Sequence, residues 1–239
     1  MSAAPTNHRV EGALLGAGVV VVWNDVTAEG REQFYRWHDK EHVPERLAIT
    51  GFLRGRRYRC EGHSPEWLTL YEATDLDVMV SPAYMARLNA PTPGTTHTLQ
   101  FFRNTSRAVC SVVHSQGTSS GGHVLALRLD VPALNSDVMW RYLCDQAFPQ
   151  ALAQVGVLAC HLLAADASAS FLNTAESSTR KFDVPSWVVL VEASTPRAAA
   201  DARSRFEVPT LQALDVAFRP DAAVYTLEIS RLAQPTEAA

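Results

Sequence analysis

A chain of 239 residues, 47% hydrophobic and 19% charged, is long and apolar enough for one large folded domain or two small ones, and this composition excludes a disordered or fibrous protein. Its 21 Lys and Arg against 25 Asp and Glu give a formal net charge of -4 with no long block of either sign, which excludes an extended basic face for nucleic acid. The longest apolar stretch, Ala13 to Trp23, is shorter than the ~20 residues of a spanning helix, and Trp23-Asn24-Asp25 follows it where a signal peptide would carry small residues.

Taken from the amino end, Val19–Asp25 is an apolar run closed by Asn-Asp and predicts a strand. Thr27–Leu47 sets Phe34, Trp37, Glu41 and Arg46 at helical spacing, with Thr27 and Gly30 offering a capped start and Gly51 a stop. Phe52–Cys60 and Trp67–Ala73 are β-rich runs around Glu-Gly-His-Ser-Pro and predict a hairpin. Ser81–Asn89 predicts a short helix opened by Ser-Pro, Arg107–His114 a strand, and the Ser/Gly/Thr run Ser115–Gly122 a linker. Beyond it come Val124–Val131, Ser136–Ala153, Val157–Ala164, Ser186–Ala193, Pro196–Phe206 with a following segment to Ala217, and Ala222–Leu232, in the same order of strands and helices. The Ala-, Ser- and Thr-rich stretch from Ala165 to Asp183 predicts a mobile loop.

The order repeats because the sequence does. Pro44, Leu47, Gly51 and Leu53 fall on Pro149, Leu152, Gly156 and Leu158 at an offset of 105, and Pro65, Trp67, Glu72 and Ala73 fall on Pro185, Trp187, Glu192 and Ala193 at an offset of 120. Each half therefore reads β-α-β-β-α-β, a ferredoxin-like unit, with halves at 1–116 and 117–239. One such sheet carries helices on one face and leaves the other bare, so two copies are expected to bury those faces against each other in an α+β, barrel-like body. The four cysteines, Cys60, Cys110, Cys144 and Cys160, have no CxxC spacing and predict buried free thiols in a reducing cytoplasm.

The stretch Trp37-His38-Asp39-Lys40-Glu41-His42-Val43-Pro44-Glu45-Arg46-Leu47-Ala48-Ile49-Thr50-Gly51-Phe52, followed by Arg57-Tyr58, resembles the dimeric α+β barrel superfamily, and within it the EthD-type and related uncharacterised barrel proteins. Ser81 to Tyr84 and Asn89 to Pro93 are similar to the same subgroup. The resemblance implies an intrachain version of that dimeric barrel, made of two tandem ferredoxin-like repeats, with a cleft between sheet and helices. It leaves the reaction open, since the superfamily holds cofactor-free monooxygenases, lactone isomerases, polyketide cyclases and haem enzymes. In the second half Leu143, Gln146 and Ala147 replace His38, Glu41 and His42, so a single site is expected in the first.

Chemistry is concentrated at the end of the first helix, where Trp37/Glu41 and His38/His42 are i,i+4 pairs. Imidazole titrates near neutrality, and a neighbouring carboxylate would fix its tautomer, which makes His42 the expected acid/base and Glu41 or His38 its orienter. Helix-end and solvent-facing roles for both histidines stay open. His38-Asp39-Lys40-Glu41-His42 also fits the H-x-x-E-H zinc pattern, but the surrounding residues match the barrel group, and no metal is expected. Period-2 alternation puts Arg54, Arg56 and Tyr58 on one face of their strand and Gly55, Arg57 and Arg59 on the other. Arg57 and Tyr58 are the expected anion contacts. Trp23, Asn24, Trp37, Tyr71, Tyr84 and His97 complete the substrate-binding candidates, and Trp67, matched by Trp187, reads as core.

The leading expectation is a cofactor-free lyase, isomerase or cyclase acting on a small aromatic or enolisable carboxylate. A non-catalytic ligand-binding or assembly barrel is the alternative, and haem-linked oxidation through His161 or His97, or cofactor-free monooxygenation, is a third reading. The expected partner is a small molecule, with no nucleic acid and no membrane, and the chain is expected to be a monomer or a homodimer.

Overall fold

The run of valines near the amino end forms strand β1 (Gly18–Val26) in the computed structural model, which describes residues 12–171, 174–179, 184–206, 216–219 and 221–234. The helix expected over 27–47 enters through a 3-10 turn, Ala28–Gly30, then runs as α1 (Arg31–Trp37), a π-helical turn (His38–His42) and α2 (Val43–Leu47). The Thr27 side chain makes no cap. The turn is closed by backbone instead, Gly30 N–H donating to Thr27 C=O at 3.0 Å. The π turn has a local cause: Pro44 lacks an N–H and its ring crowds the carbonyl one turn back, so the helix widens before it. Strands β2 (Phe52–Arg59) and β3 (Trp67–Ala73) form the expected hairpin, and Ser81 caps α3 (Pro82–Asn89) by accepting from Tyr84 N–H.

Two features differ from the expectation in this part of the chain. A further helix, α4 (Pro93–Leu99), lies between Asn89 and Arg107, where no element was expected; Thr92 caps it, accepting from Thr95 N–H at 3.0 Å. Strand β4 (Phe102–Gln116) starts before Arg107 and takes in the first residues of the supposed linker. Next come β5 (His123–Asp130), α5 (Ser136–Tyr142), a second π turn (Leu143–Ala147), α6 (Phe148–Leu152) and β6 (Val157–Ala165). Here Pro149 stands where Pro44 stood. Then follow α7 (Ala167–Ser170), β7 (Trp187–Ala193), α8 (Pro196–Ala202), the two-residue β8 (Ala217–Phe218) and β9 (Ala223–Leu232). The segment expected to run on to Ala217 lies, over 207–215, outside the described residues.

The chain divides into two compact units. One, the histidine unit, draws on Leu15–Cys110, Asp166–Val184 and Glu228–Ala239; the other, the leucine unit, on Met1–Leu14, Ser111–Ala165 and Pro185–Leu227. In the histidine unit the strand order is β4-β1-β3-β2, and β1 pairs β3 antiparallel with Gly18 opposite Ala73. In the leucine unit the order is β9-β5-β7-β6, and β5 pairs β7 with His123 opposite Ala193. The registers interrupt at Phe52/Arg54 and at Val157/Ala159, the same offset of 105. Gly51 and Gly156, at φ +98 and +92, take the left-handed turn that leads each helix into its strand.

On its helix-facing side the leucine unit gathers Leu129, Met139, Leu143, Ala147, Phe148, Leu162, Val189 and Val191 into one buried apolar cluster. The core of the histidine unit is split between Val20, Val43, Leu47, Phe52, Tyr71, Met79 and Tyr84 and an aromatic group of Val26, Phe34, Trp37 and Trp67. Where it is described, the stretch expected to be a mobile loop carries two helical turns. Asp166 caps α7, accepting from Ala169 N–H at 2.8 Å, and Glu176, on the 3-10 turn Ala175–Thr179, is buried in an ion pair with Arg46. Composition signals such a stretch as polar but does not show where the buried Glu176 carboxylate finds a cation.

Candidate active site

Alternation along β1 and β3 turns Val22, Asn24, Thr69 and Tyr71 toward the helix that carries His38 and His42. Together with Phe34, Trp37 and Phe102 these residues enclose a cavity of ≈ 40 Å³ in the histidine unit, room for one or two waters. Five of the expected site residues, Asn24, Trp37, His38, His42 and Tyr71, therefore meet at one place. The His42 ring lies on the Trp37 indole at 4.2 Å between centroids, 5.8 Å from the His38 ring and 6.1 Å from that of Tyr71. The Trp37 indole N–H donates to Thr95 Oγ1 at 3.0 Å, which fixes the platform under His42.

His38 is set by a chain of bonds that starts at charged groups. Arg57, 2% exposed, spends its guanidinium on Asp39 Oδ1 at 2.6 Å, Glu228 Oε2 at 2.8 Å and His38 Nδ1 at 3.0 Å. It also lies over the Tyr35 ring at 4.7 Å. Arginine can only donate, so Nδ1 of His38 is the bare acceptor and the neutral ring carries its proton on Nε2. Burial, helped by the Arg57 charge, pushes the His38 pKa well below its ordinary 6.5, so the ring is neutral at physiological pH. Its Nε2–H faces Tyr71 Oη at 3.4 Å. The Tyr71 hydroxyl thereby receives from His38 and keeps its own proton to donate. Burial raises the Tyr71 pKa, so it stays protonated and acts as a hydrogen-bond donor. Asn24, 2% exposed, makes one long bond, 3.5 Å to Asp25 C=O, and has amide capacity left for a ligand.

The remaining expected residues are placed elsewhere. The Glu41 carboxylate bonds Thr92 Oγ1 and packs so closely on Gly94 that a Cβ there would come within 2.4 Å of it, so it orients neither histidine. Arg57 commits Nε and Nη1 to Glu228, Asp39 and His38, which makes it a positioning group before it is an anion contact. Trp23 and Tyr58, 1% and 0% exposed, lie on the opposite face of the sheet, Tyr58 under Arg56, because their strand parity is opposite to that of Asn24 and Arg57. Tyr84 is buried among arginines on α3, and His97 stands exposed on α4, edge-on to Phe101. Among the described residues no cluster of three or more His, Cys, Asp or Glu is arranged to hold a metal, and the arginine on His38 Nδ1 opposes a cation there. A larger groove of ≈ 970 Å³ lines Pro44, Leu47 to Leu53 and Arg231 to Gln234, and contains no acid/base pair.

Sequence reasoning missed Asp39, Glu228 and Arg46. Asp39 was visible inside the motif as a carboxylate one residue from His38. Glu228 lies 171 positions from Arg57 and carried no local signal.

No family model and no curated protein sequence matches the chain. Solved structures do. An anthrone oxidase-like protein is 13% identical, covering 93% of this chain and 95% of its own, with a TM-score of 0.60. A proposed monooxygenase from Fusobacterium nucleatum is 12% identical, covering 92% and 94%, with a TM-score of 0.53. A haem-binding protein from Thermus thermophilus is 13% identical, covering 92% and 95%, with a TM-score of 0.51. At such identities the likeness carries the architecture alone: this chain has the mixed α+β, ferredoxin-like fold of these α+β barrel proteins.

Proposed function

We propose that the histidine unit is a cofactor-independent oxygenase site for a small enolisable or phenolic aromatic. His42 removes the acidic C–H or O–H proton, and Tyr71 Oη–H with the Asn24 amide holds the oxygen on which negative charge develops. The electron-rich anion reacts with dioxygen and loses water, so that an activated CH2 and O2 become a ketone and H2O. The observation that carries the reading is the directed chain from Arg57 through neutral His38 to Tyr71, which leaves a hydroxyl proton aimed away from His38 beside a second, stacked imidazole. Support for oxygen as the second substrate comes from the anthrone oxidase-like and monooxygenase-type neighbours.

Haem does not fit these residues. His161 is fully enclosed between Ser115 Oγ, 2.7 Å away, and Glu192, 3.5 Å away; His97 lies on an exposed helix surface; and the His38 ring is held by Arg57 and Tyr71. The matching registers and π turns of the two units favour the tandem repeat, with halves at 1–116 and 117–239 and one active half, in an EthD-type setting. Four free cysteines, three of them with thiol pKa values pushed up to about 12 by burial, suit a reducing cytoplasm. The partner in this reading is the small-molecule substrate, and the chain works as a monomer or homodimer.

Anthrone, a tricyclic enolisable ketone, tests the reaction through oxygen uptake and ketone formation. One O2 consumed per ketone formed is expected, with His42→Ala lowering turnover by about 10²-fold or more. Exchange of the acidic hydrogen with solvent deuterium under argon, without oxygen uptake in air, would move the site to the lyase, isomerase or cyclase class. Wild-type turnover in His42→Ala protein would remove His42 from the reaction.

A further inference from the structure

One helical turn beyond His42, α2 buries Arg46, 2% exposed. Its Nη2 is paired with the buried carboxylate of Glu176, while its Nη1 has no hydrogen-bond partner among the described residues. The guanidinium lies 5.7 Å from the centre of the Tyr84 ring, and Arg107, 5% exposed, lies 5.9 Å from the same ring and donates to Tyr84 Oη at 3.2 Å and Ala169 C=O at 3.4 Å. Arg107 has no carboxylate partner among the described residues. Two buried guanidiniums thus lie on one tyrosine ring, and of the two only Arg46 has a carboxylate partner among the described residues. A buried cation without an anion is expensive, and a buried donor left unpaired adds to the cost. The patch adjoins the catalytic cavity: Phe52 packs between Tyr84, 5.5 Å away, and Tyr71, 6.3 Å away, and His42 and Arg46 are i,i+4 neighbours.

We infer that Arg46, with Tyr84 and Arg107 behind it, is the anion subsite of the active site, that Glu176 occupies it as a built-in carboxylate, and that the substrate is an aromatic carboxylate which displaces Glu176. This deepens the proposed function and rests on the location of that site. The cavity at His42 is too small for an organic substrate, whose pockets are commonly ~300 Å³ or more, so some element has to yield. The turn carrying Glu176 is bonded within itself, Thr174 N–H donating to Ser177 Oγ at 2.9 Å and Ser177 Oγ–H to Thr174 C=O at 2.7 Å, so displacing it need not break these bonds. An incoming carboxylate can pair both Nη1 and Nη2 in the bidentate geometry that Glu176 does not achieve. Its ring then enters the space beside Tyr71, and the acidic hydrogen comes toward His42.

The test compares 2-naphthoate with 2-acetylnaphthalene, which has the same ring and no charge, by titration calorimetry. Wild type is expected to prefer the carboxylate. Glu176→Gln should bind 2-naphthoate about tenfold more tightly, equivalent to ~1.4 kcal/mol, with 2-acetylnaphthalene little changed, and Arg46→Gln should erase the preference. Unchanged or weaker 2-naphthoate binding in Glu176→Gln, or no binding by any variant, overturns the inference and leaves Arg46–Glu176 a structural ion pair. Hydrogen exchange of wild type covers the case in which Glu176→Gln does not fold: peptides over Thr174–Ser177 should exchange faster with saturating 2-naphthoate, and unchanged or slower exchange overturns the inference. None of these readouts needs turnover, so failure of anthrone oxidation and failure of the anion subsite are separate results.

Discussion

At matching positions of the same framework, the two units bury opposite kinds of side chain. Asn24, His38, His42, Arg57 and Tyr71 of the histidine unit stand where the leucine unit has Leu129, Leu143, Ala147, Leu162 and Val191, all of them buried in one apolar cluster. Strand order, β-bulge, π turn and helix-ending glycine are nonetheless the same in both. The framework therefore folds without the polar set. Burying an imidazole, a guanidinium and an amide costs free energy that an apolar core does not, so their presence needs a reason outside folding, and the proton transfer we propose would supply one. The comparison also disciplines the π turn. Such turns often mark functional sites, but here it accompanies Pro44 and Pro149 alike and is a consequence of proline.

A second contrast lies on the other face of each sheet and yields the largest predicted effect. Glu72 and Glu192 are both buried and each fixes a backbone amide, Leu15 N–H at 2.9 Å and Gly121 N–H at 2.8 Å. Glu72 is paired with two arginines, Arg54 at 2.8 Å and Arg56 at 2.9 Å, whereas Glu192 has His161 at 3.5 Å. Glu72→Gln removes the carboxylate facing two guanidiniums that are at most 11% exposed and is expected to cost about 3–5 kcal/mol. Glu192→Gln gives up one 3.5 Å contact to His161 and is expected to cost about 1–3 kcal/mol. Urea unfolding of the two variants gives the comparison directly, and equal losses would show that the arginines are not what distinguishes them.

The chain's elements and their order were legible because Pro, Gly, Trp and Glu recur at two fixed offsets, and strand parity then placed Asn24 and Tyr71 on the helix-facing side. Parity also separates Trp23 and Tyr58 from the cavity, a consequence not drawn from the sequence because Trp23 adjoins Asn24, which lines it, and Tyr58 adjoins Arg57, which bonds His38. Glu41 was misassigned for a related reason: adjacency to His42 suggested an orienter, but a helix points neighbouring side chains about 100° apart, and α4, unforeseen behind Pro93-Gly94, offered Thr92 to its carboxylate. The long-range pairs, Arg57 with Glu228 and Arg46 with Glu176, had no signature in local pattern at all.

A smaller effect follows from the buried histidine itself. Its folded-state pKa lies well below the ordinary value of 6.5, so between those two values the unfolded chain binds a proton that the folded chain does not. Stability contributed by neutral His38 is complete above about pH 6.5 and is lost as pH falls below it, with a slope of up to ~1.4 kcal/mol per pH unit, levelling once the folded-state ring is itself protonated. Urea midpoints at pH 7.5, 6.5 and 5.5 read this slope. The leucine unit has no ionisable group at the matching position, Leu143.

His38→Leu, which writes Leu143 into the histidine unit, should have the smallest effect on stability at pH 7.5, within about 1.5 kcal/mol of wild type. Arg57 keeps Asp39 and Glu228 as partners, and Tyr71 loses only a 3.4 Å contact. The variant should also lose the His38 share of the acid slope, which a difference in midpoints between pH 7.5 and 5.5 detects. Its effect on turnover should be large by contrast, because the Tyr71 hydroxyl is then free to turn its proton toward other acceptors. A fall in kcat with KM little changed is the mark of a group acting only through transition-state positioning. If His38→Leu is instead strongly destabilised while anthrone turnover persists, His38 serves the fold, and the contrast between the two units reflects drift in packing and not the retention of a site.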